Sequence, residues 1–183
     1  MVSVVVVALL VGAAVATVVV GRTTPGDRSP EAGFARDMSA HHAQAVEMAG
    51  IILGAAPSQE IGILAEDIML SQQAQIGQMQ AWLDLWMLPA AGSEAPMTWM
   101  GMAGMPMAGM GSQSELRELA QASGVEAERR FLQLMIAHHR GGVGMAEAVL
   151  SRSDHQVVRE LASAIITSQA SEIAQMEQLL DRR

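Results

Sequence analysis

The sequence predicts an all-α protein, namely a four-helix bundle assembled from two copies of one helical hairpin. The first observation is an internal repeat at an offset of 97 residues. The same offset, without a gap, also relates residues 64–83 to residues 161–180. The repeat relates Phe34, Met38, His41, His42 and Met48 to Phe131, Met135, His138, His139 and Met145. The second observation is composition: aromatic residues make up only 3%, tyrosine is absent, and Ala, Leu, Ile, Val and Met dominate. This usage is typical of helical bundles rather than of β-sandwiches.

Residues 1–21 form a segment that is separate from the bundle. Positions 2–21 carry no charged side chain, and about 20 apolar residues are enough to span the core of a bilayer. A signal peptide normally begins with basic residues, which this segment lacks, so a transmembrane anchor is favoured over a cleaved signal sequence. We expect a single-pass protein of the cell membrane with an extracytoplasmic domain. The alternative is a secreted or periplasmic protein after cleavage of the segment.

The folded domain is predicted to cover 33–183, after a polar linker at 22–32 that contains two prolines. Gly and Pro residues interrupt the apolar periodicity and mark the ends of the helices. The first hairpin repeat, 33–88, is predicted to contain helices at 33–53 and 58–88. The second hairpin repeat, 123–183, is predicted to contain helices at 123–150 and 155–180, and a short helix is expected at 114–121. Two such hairpins, related by a pseudo-twofold axis, bury their apolar faces against each other.

A Met-rich loop, residues 89–113, connects the two hairpins. It contains Met97, Met100, Met102, Met105, Met107 and Met110, separated mainly by Gly, Ala, Pro and Trp99. Glycine disfavours helix, so these methionines cannot form one regular apolar stripe, and we expect a mobile loop at the surface. Exposed thioethers are ligands for soft metal ions. The candidate ligands in this loop are Met100, Met102, Met105, Met107 and Met110.

Charge and cysteine content exclude several classes of partner and site. The formal net charge is −8, lysine is absent, and no basic stripe is present that would attract nucleic acid. Cysteine is also absent, so neither a disulfide framework nor a zinc site with thiolate ligands can form. Methionine is therefore the only source of a soft sulfur ligand.

The repeated Met-x-x-His-His motif is the strongest candidate for a metal site. Helical geometry places Met38 next to both His41 and His42, because side chains three and four residues apart meet on one face. The apolar stripe of the first helix includes His41, whereas His42 falls at its margin, and the repeat predicts the same for His138 and His139. Imidazole nitrogen and thioether sulfur together form a soft, neutral ligand set that suits Cu(I).

Symmetric packing of the hairpins would bring ligands of the two motifs together. Met38, His41, Met135 and His138 would then meet near the pseudo-axis, either as one site or as two. Met48 and Met145 lie about two turns beyond Met38 and Met135, where they would extend either site or fill the core.

Two other interpretations of the motif are open. In a structural interpretation, Gln72 and Gln169 lie on the apolar stripes of their helices and hydrogen-bond the buried imidazoles, or fix the ring tautomer beside a metal. In an enzymatic interpretation, helical bundles that activate oxygen at two iron ions use Glu-x-x-His, but Met38 and Met135 stand where Glu is required. A G-x-S-x-G turn, a cysteine nucleophile and a phosphate loop are also absent from the sequence. We therefore expect no enzymatic activity.

The chain resembles the domain of unknown function 305 family, whose hallmark is a Met-x-x-His-His segment near the start of each of two hairpins. The matching stretches are 34–49 and 131–146, and the resemblance covers about 33–183. It implies a ferritin-like four-helix bundle that is exported or membrane-anchored, and some members are similar to periplasmic copper-binding proteins that use His and Met. Carried over to this sequence, it points to Met38, His41, His42, Met48, Met135, His138, His139 and Met145. The family usually has a small or helix-favouring residue where Gly142 and Gly144 stand, which implies a looser second site.

The leading hypothesis is an extracytoplasmic copper-binding protein that sequesters, buffers or transfers Cu(I), with the Met-rich loop as a flexible capture arm. The expected partners are the copper ion, the membrane through the N-terminal segment, and a copper-trafficking protein or membrane complex. The alternative hypothesis is a non-catalytic interaction module, or an accessory subunit of a membrane complex, in which the His pairs are structural. The number of metal ions stays open.

Overall fold

The structure is a computed structural model that describes residues 24–183, and this part of the chain is all helical. Its elements are α1 (Pro30–Gly54), α2 (Gln59–Leu85), a 3-10 helix (Thr98–Met100), α3 (Gln113–Gln121), α4 (Gly124–Leu150) and α5 (Gln156–Leu180). The predicted all-α fold is confirmed. The predicted anchor or signal segment, residues 1–21, lies outside the described residues. Of the helices within 24–183, none is long and apolar enough to cross a membrane.

Helix α1 begins at Pro30, three residues before the predicted start at Gly33. Ser29 caps the helix, because its hydroxyl accepts a hydrogen bond from the Ala32 amide at 3.2 Å. Proline suits the first helical position, where an amide proton has no helical acceptor. The sequence Ser29-Pro30 is therefore a start signal that belongs to the helix, although it was assigned to the linker.

The end of the predicted linker also belongs to the folded unit. Arg36 on α1 donates to the carboxylate of Asp27 at 2.6 Å and to the carbonyl of Pro89 at 2.8 Å. Asp27 in turn accepts a hydrogen bond from the Ser93 hydroxyl at 2.5 Å. One guanidinium thus joins the segment before α1 to the start of the Met-rich loop.

The four long helices form two hairpins, α1 with α2 and α4 with α5, and the hairpins meet through α1 and α4. Helices α1 and α4 run antiparallel, because residues before His41 share a core cluster with residues after His138. The short helix α3 starts at a capping box in which Ser112 and Glu115 exchange hydrogen bonds. This box moves the start of α3 to Gln113, one residue before the predicted Ser114.

The buried core consists of two apolar clusters at opposite ends of the bundle. The first cluster draws on 45–52, 61–68, 127–136 and 176–179, and includes Phe131. The second draws on 32–38, 79–83, 145–149 and 158–165, and includes Phe34. The histidines of the repeated motifs fall in the gaps between these ranges, so they lie between the two apolar clusters.

Candidate metal centre

A layer of polar side chains separates the two apolar clusters, and we call it the polar layer. Each of the four long helices contributes two residues to it. The members are His41, His42, Gln72, Gln75, His138, His139, Gln169 and Glu172. All four imidazoles have no solvent exposure, and Gln72 and Gln169 are each 2% exposed. Histidine and glutamine are seldom fully buried, so six such buried side chains at one level of a small bundle call for an explanation.

The Nε2 atom of each histidine in the polar layer contacts an oxygen that can only accept a hydrogen bond. His41 meets the carbonyl of Ala108 at 3.1 Å, and His138 meets the carbonyl of His41 at 2.9 Å. In the outer pair, His42 meets Oε1 of Gln75 at 2.7 Å and His139 meets Oε2 of Glu172 at 2.6 Å. An oxygen acceptor requires a proton on the facing nitrogen, so each ring carries a proton at Nε2.

The Nδ1 atoms of the same four rings have no hydrogen-bond partner among the described residues. Burial lowers the pKa of His41 to about 4, that of His42 to about 3 and that of His138 to about 2, so these three rings are neutral at pH 7. A neutral ring with its proton on Nε2 has a lone pair on Nδ1. The polar layer therefore holds buried nitrogen lone pairs that no described protein group uses, and neutral imidazole is the form that binds metals.

The inner histidines, His41 and His138, and the outer histidines, His42 and His139, are equally buried. This finding corrects one prediction. The rings of His41 and His138 face each other with centroids 3.8 Å apart and planes tilted by 30°. This meeting was expected from the repeat. His42 and His139, however, were predicted to lie at the margin of the core and are fully buried. They point towards α2 and α5, where Gln75 and Glu172 receive their Nε2 protons.

The predicted hydrogen bonds from Gln72 and Gln169 to the imidazoles are not formed. Within residues 24–183, neither the oxygen nor the nitrogen of either amide has a partner. Gly142 leaves room for Gln169, because a Cβ at that position would lie 2.5 Å from the amide Oε1. Glu172, by contrast, has a partner, because its carboxylate contacts Nε2 of His139. The polar layer thus contains two buried amides in addition to four unpartnered ring nitrogens.

Replacing Gln72 or Gln169 by methionine is expected to raise the free energy of unfolding of the metal-free protein by about 1 kcal/mol. An unpaired buried amide costs about 1–3 kcal/mol, and a thioether of similar size needs no partner. Gln44→Met is the matched control, because the Gln44 amide exchanges two hydrogen bonds with Gly111, at 2.9 and 2.7 Å. Urea unfolding should show stabilisation at the first two positions and a loss at Gln44. Equal losses at all three would mean that buried water satisfies the amides.

The four methionines of the motifs border the polar layer on both sides. All four are at most 1% exposed. Met38 and Met145 belong to the second cluster, whereas Met48 and Met135 belong to the first. The prediction that Met38 and Met135 meet near the pseudo-axis is therefore wrong. Antiparallel packing of α1 and α4 places the residue before one His pair beside the residue after the other, so each side of the layer receives one methionine from each motif.

The Met-rich loop was predicted to be a mobile surface loop, but it is docked on α1. Met97 is 2% exposed, and Met100, Met102 and Met107 pack against the second cluster. Met110 is half-buried, and Met105 is 53% exposed. The loop therefore presents one exposed thioether and keeps most of the others at the edge of the core.

Three side chains of α1 hold the loop in place. Asp37 accepts hydrogen bonds from the Met97 amide at 2.7 Å and from the Trp99 indole at 2.8 Å. His41 donates to the carbonyl of Ala108, and Gln44 pairs with Gly111. The spacing of these anchors, i, i+4 and i+7, places them on one face of α1. The sequence did not reveal these anchors, because Asp37 and Gln44 have no feature that distinguishes them from other polar residues on the first helix.

Glycines of α4 and the loop allow the main chain of the loop to approach the His41–His138 pair. A Cβ on Gly141 would overlap the carbonyl oxygen of Ala108. Gly109 has a φ of +78°, and a Cβ there would overlap the carbonyl oxygen of Ala137. Gly141 and Gly109 thus permit the close approach of the loop to α4. The loop covers the inner histidines on the side of α4.

The unpartnered donors of the polar layer and its borders are imidazole nitrogens, the amides of Gln72 and Gln169, and the thioether sulfurs of the bordering methionines. In the part of the chain that the structure describes, no three His, Asp or Glu side chains are grouped so that they could hold a metal ion. A set of neutral N and S donors is suited to Cu(I) and to similarly soft monovalent ions, and poorly suited to Mg²⁺ or Ca²⁺.

Comparison with known proteins gives a family and several relatives. The family model described as a domain of unknown function (DUF305) matches residues 31–180. A Streptomyces coelicolor structure, described as a secreted DUF305 protein, is 46% identical with a TM-score of 0.83, and the match covers 86% of this chain and 95% of that one. CopM in its Cu(I)-bound form is 27% identical with a TM-score of 0.66, and the match covers 86% and 97% of the two chains.

Further forms of CopM and one viral protein are also similar. CopM structures exist in Cu(II)-bound and Ag-bound forms, at 30% and 26% identity to this chain. Protein L153 of Acanthamoeba polyphaga mimivirus is 34% identical over 56 residues, and this match spans 31% of the present chain and 37% of the viral protein. The viral match is thus restricted to about a third of each protein.

Proposed function

The chain belongs to the DUF305 family, and on that basis we propose that it is an extracytoplasmic protein that binds Cu(I) in the polar layer. The observation that carries the proposal is the set of four buried imidazoles, each with an unpartnered Nδ1. An unused lone pair in the core is unfavourable unless something binds it. A soft monovalent ion with imidazole and thioether ligands meets that requirement without placing a large charge in the core.

Both motifs would supply ligands for copper. The nitrogen donors are the Nδ1 atoms of His41, His42, His138 and His139. The sulfur donors are Met38, Met48, Met135 and Met145, which lie along the two sides of the layer. The oxygens that accept the four Nε2 protons would orient the rings, as the outer hydrogen-bond partners of metal-bound histidines do in other proteins.

The Met-rich loop suits the transfer of the ion between the surface and the polar layer. Met105 is exposed, whereas Met107 and Met110 are partly buried on either side of Ala108, whose carbonyl contacts His41. We propose that these thioethers, together with Met100 and Met102, pass Cu(I) inward. The loop would act as an ordered entrance, in place of the flexible arm expected from its composition.

Similarity to CopM, which has Cu(I)-bound, Cu(II)-bound and Ag-bound structures, supports copper as the ion. The relative described as a secreted protein supports a location outside the cytoplasm. We further propose a role in sequestering, buffering or transferring copper without catalysis, because the Glu-x-x-His pattern of di-iron bundles is replaced by Met-x-x-His. A membrane anchor at 1–21 and a protein partner for transfer stay predictions.

Anaerobic titration of the purified protein with Cu(I), in competition with a chromogenic chelator, tests the proposal. We expect submicromolar binding that Ag(I) reproduces and that an excess of Zn²⁺ does not displace, because thioether ligands favour the softer ions. Failure of the folded protein to bind either monovalent ion with submicromolar affinity would contradict the proposal. Binding of Cu(I) that Zn²⁺ displaces at equal concentration would contradict the ligand set.

A further inference from the structure

The two halves of the polar layer differ by one charged group. Gln75 on α2 and Glu172 on α5 occupy equivalent positions of the repeat, 97 residues apart. Gln75 accepts the Nε2 proton of His42 at 2.7 Å, and Glu172 accepts that of His139 at 2.6 Å. The contact is therefore the same in both hairpins, but its acceptor is neutral in the first and a carboxylate in the second.

The charge of Glu172 acts on the interior of the bundle. Its side chain is 21% exposed, while the His139 ring that it contacts has no exposure. No arginine within residues 24–183 forms an ion pair with Glu172, whereas Glu118, Glu177 and Glu60 all pair with arginine. A charge without an arginine partner, next to a site of low dielectric, exerts a stronger field there than it would at an exposed surface.

A carboxylate on Nε2–H strengthens the donor atom at the other side of the ring. The hydrogen bond draws the Nε2 proton towards the oxygen, and the electron density at Nδ1 rises. The negative charge also attracts a bound cation in proportion to the charge of that cation, so it favours a divalent over a monovalent ion. The amide of Gln75 supplies the hydrogen bond for His42 without this charge.

We infer that Glu172 makes the half of the polar layer around His139 a site that accepts Cu(II), whereas the half around His42 is selective for Cu(I). The inference rests on the proposed function. It assigns Glu172 as a specificity-determining residue that acts through His139. It also gives the two otherwise equivalent repeats different roles, because one protein then holds both oxidation states of copper without a redox step in the bundle.

The test is an exchange of the two acceptors between the repeats. Glu172→Gln gives the second repeat the acceptor of the first, and Gln75→Glu does the reverse. Binding of Cu(II) and of Ag(I), a monovalent probe that does not change oxidation state, is measured separately on the purified proteins by chelator competition. Glu172→Gln should lower the Cu(II) affinity about 10-fold or more, the effect usual for outer hydrogen-bond partners, and change the Ag(I) affinity less than about threefold.

The reciprocal variant keeps the inference testable if Glu172→Gln folds poorly. Gln75→Glu should raise the Cu(II) affinity about 10-fold with little change in Ag(I) binding. A purely structural role for Glu172 would move both affinities together, so an unchanged ratio of Cu(II) to Ag(I) affinity in both variants would overturn the inference. Absence of Ag(I) binding to the unmodified protein would instead overturn the proposed function.

Discussion

Replacing His41 and His138 together by alanine is expected to lower the affinity for Cu(I) by at least about 100-fold. The loss of an outer hydrogen-bond partner already reduces metal affinity 10–100-fold, and these two rings are proposed to bind the ion directly. They are the histidines that face each other, at 3.8 Å between centroids, between the two apolar clusters. Chelator competition with Cu(I) and with Ag(I) measures the effect.

The fifth histidine of the chain provides the matched control. His155 lies at the start of α5, where its ring contacts Trp86 with centroids 5.4 Å apart. His155→Ala should leave the Cu(I) affinity unchanged. Because the double variant removes buried volume, His41→Gln and His138→Gln serve as second variants that retain a polar side chain. Affinity that survives in all folded variants would exclude the inner histidines as ligands.

Replacing Gly141 by alanine is expected to displace the Met-rich loop and to lower the free energy of unfolding by about 1 to 3 kcal/mol. A Cβ at this position overlaps the carbonyl oxygen of Ala108, a main-chain atom that cannot rotate away. The same shift would break the hydrogen bond from His41 to Ala108. The variant should therefore also take up Cu(I) more slowly than the unmodified protein, because the thioethers of the loop are displaced from the inner histidines.

Gly144→Ala is the control for helix propensity, because a Cβ at that position meets nothing within 4 Å. It should stabilise the protein by up to about 1 kcal/mol, the usual advantage of alanine over glycine within a helix. Urea unfolding of the two variants gives opposite signs if the loop is docked as described. Stabilisation by both substitutions would show that the loop does not rest on α4 at Gly141.

The inner part of the polar layer could be predicted from the sequence because it depends on repetition and helical spacing. A constant offset of 97 implies equivalent helices, and the position of His41 on an apolar stripe implies that it faces its counterpart His138. These are properties of one helix and one symmetry relation. The boundaries of α4 and α5 followed for the same reason, since Ser123, Gly124 and Ser151 interrupt the pattern locally.

The outer part of the layer could not be predicted from a single helix. His42 and His139 fall at the margin of the stripe on α1 and α4, and only the second helix of each hairpin encloses them. Gln72 and Gln169 were expected to bond the buried imidazoles because both lie on apolar stripes, but the hydrogen bonds that form join His42 and His139 to Gln75 and Glu172, one turn further along. Which residue each ring contacts depends on how far the two helices of a hairpin are shifted along their axes. No local pattern in the sequence encodes this shift.

The prediction that the Met-rich loop is a mobile surface loop was wrong for a different reason. Its glycines and prolines correctly indicate a segment with little regular structure, but low helix propensity does not require mobility. Its docking comes from Asp37 and Gln44, which bind main-chain and indole groups of the loop from 60 or more residues away. Contacts at such sequence separation leave no periodic signal.

The central claim is that the Nδ1 atoms of the buried histidines are the nitrogen ligands of the ion. Long-range proton–nitrogen NMR spectra of the imidazoles, recorded with and without Ag(I) or Cu(I), test it most directly. The account predicts Nε2-protonated rings in the metal-free protein, and on loading a large shift of the Nδ1 resonances of His41 and His138 while their Nε2 protons remain. Ligation through Nε2, or metal binding that leaves every buried Nδ1 resonance unchanged, would contradict it.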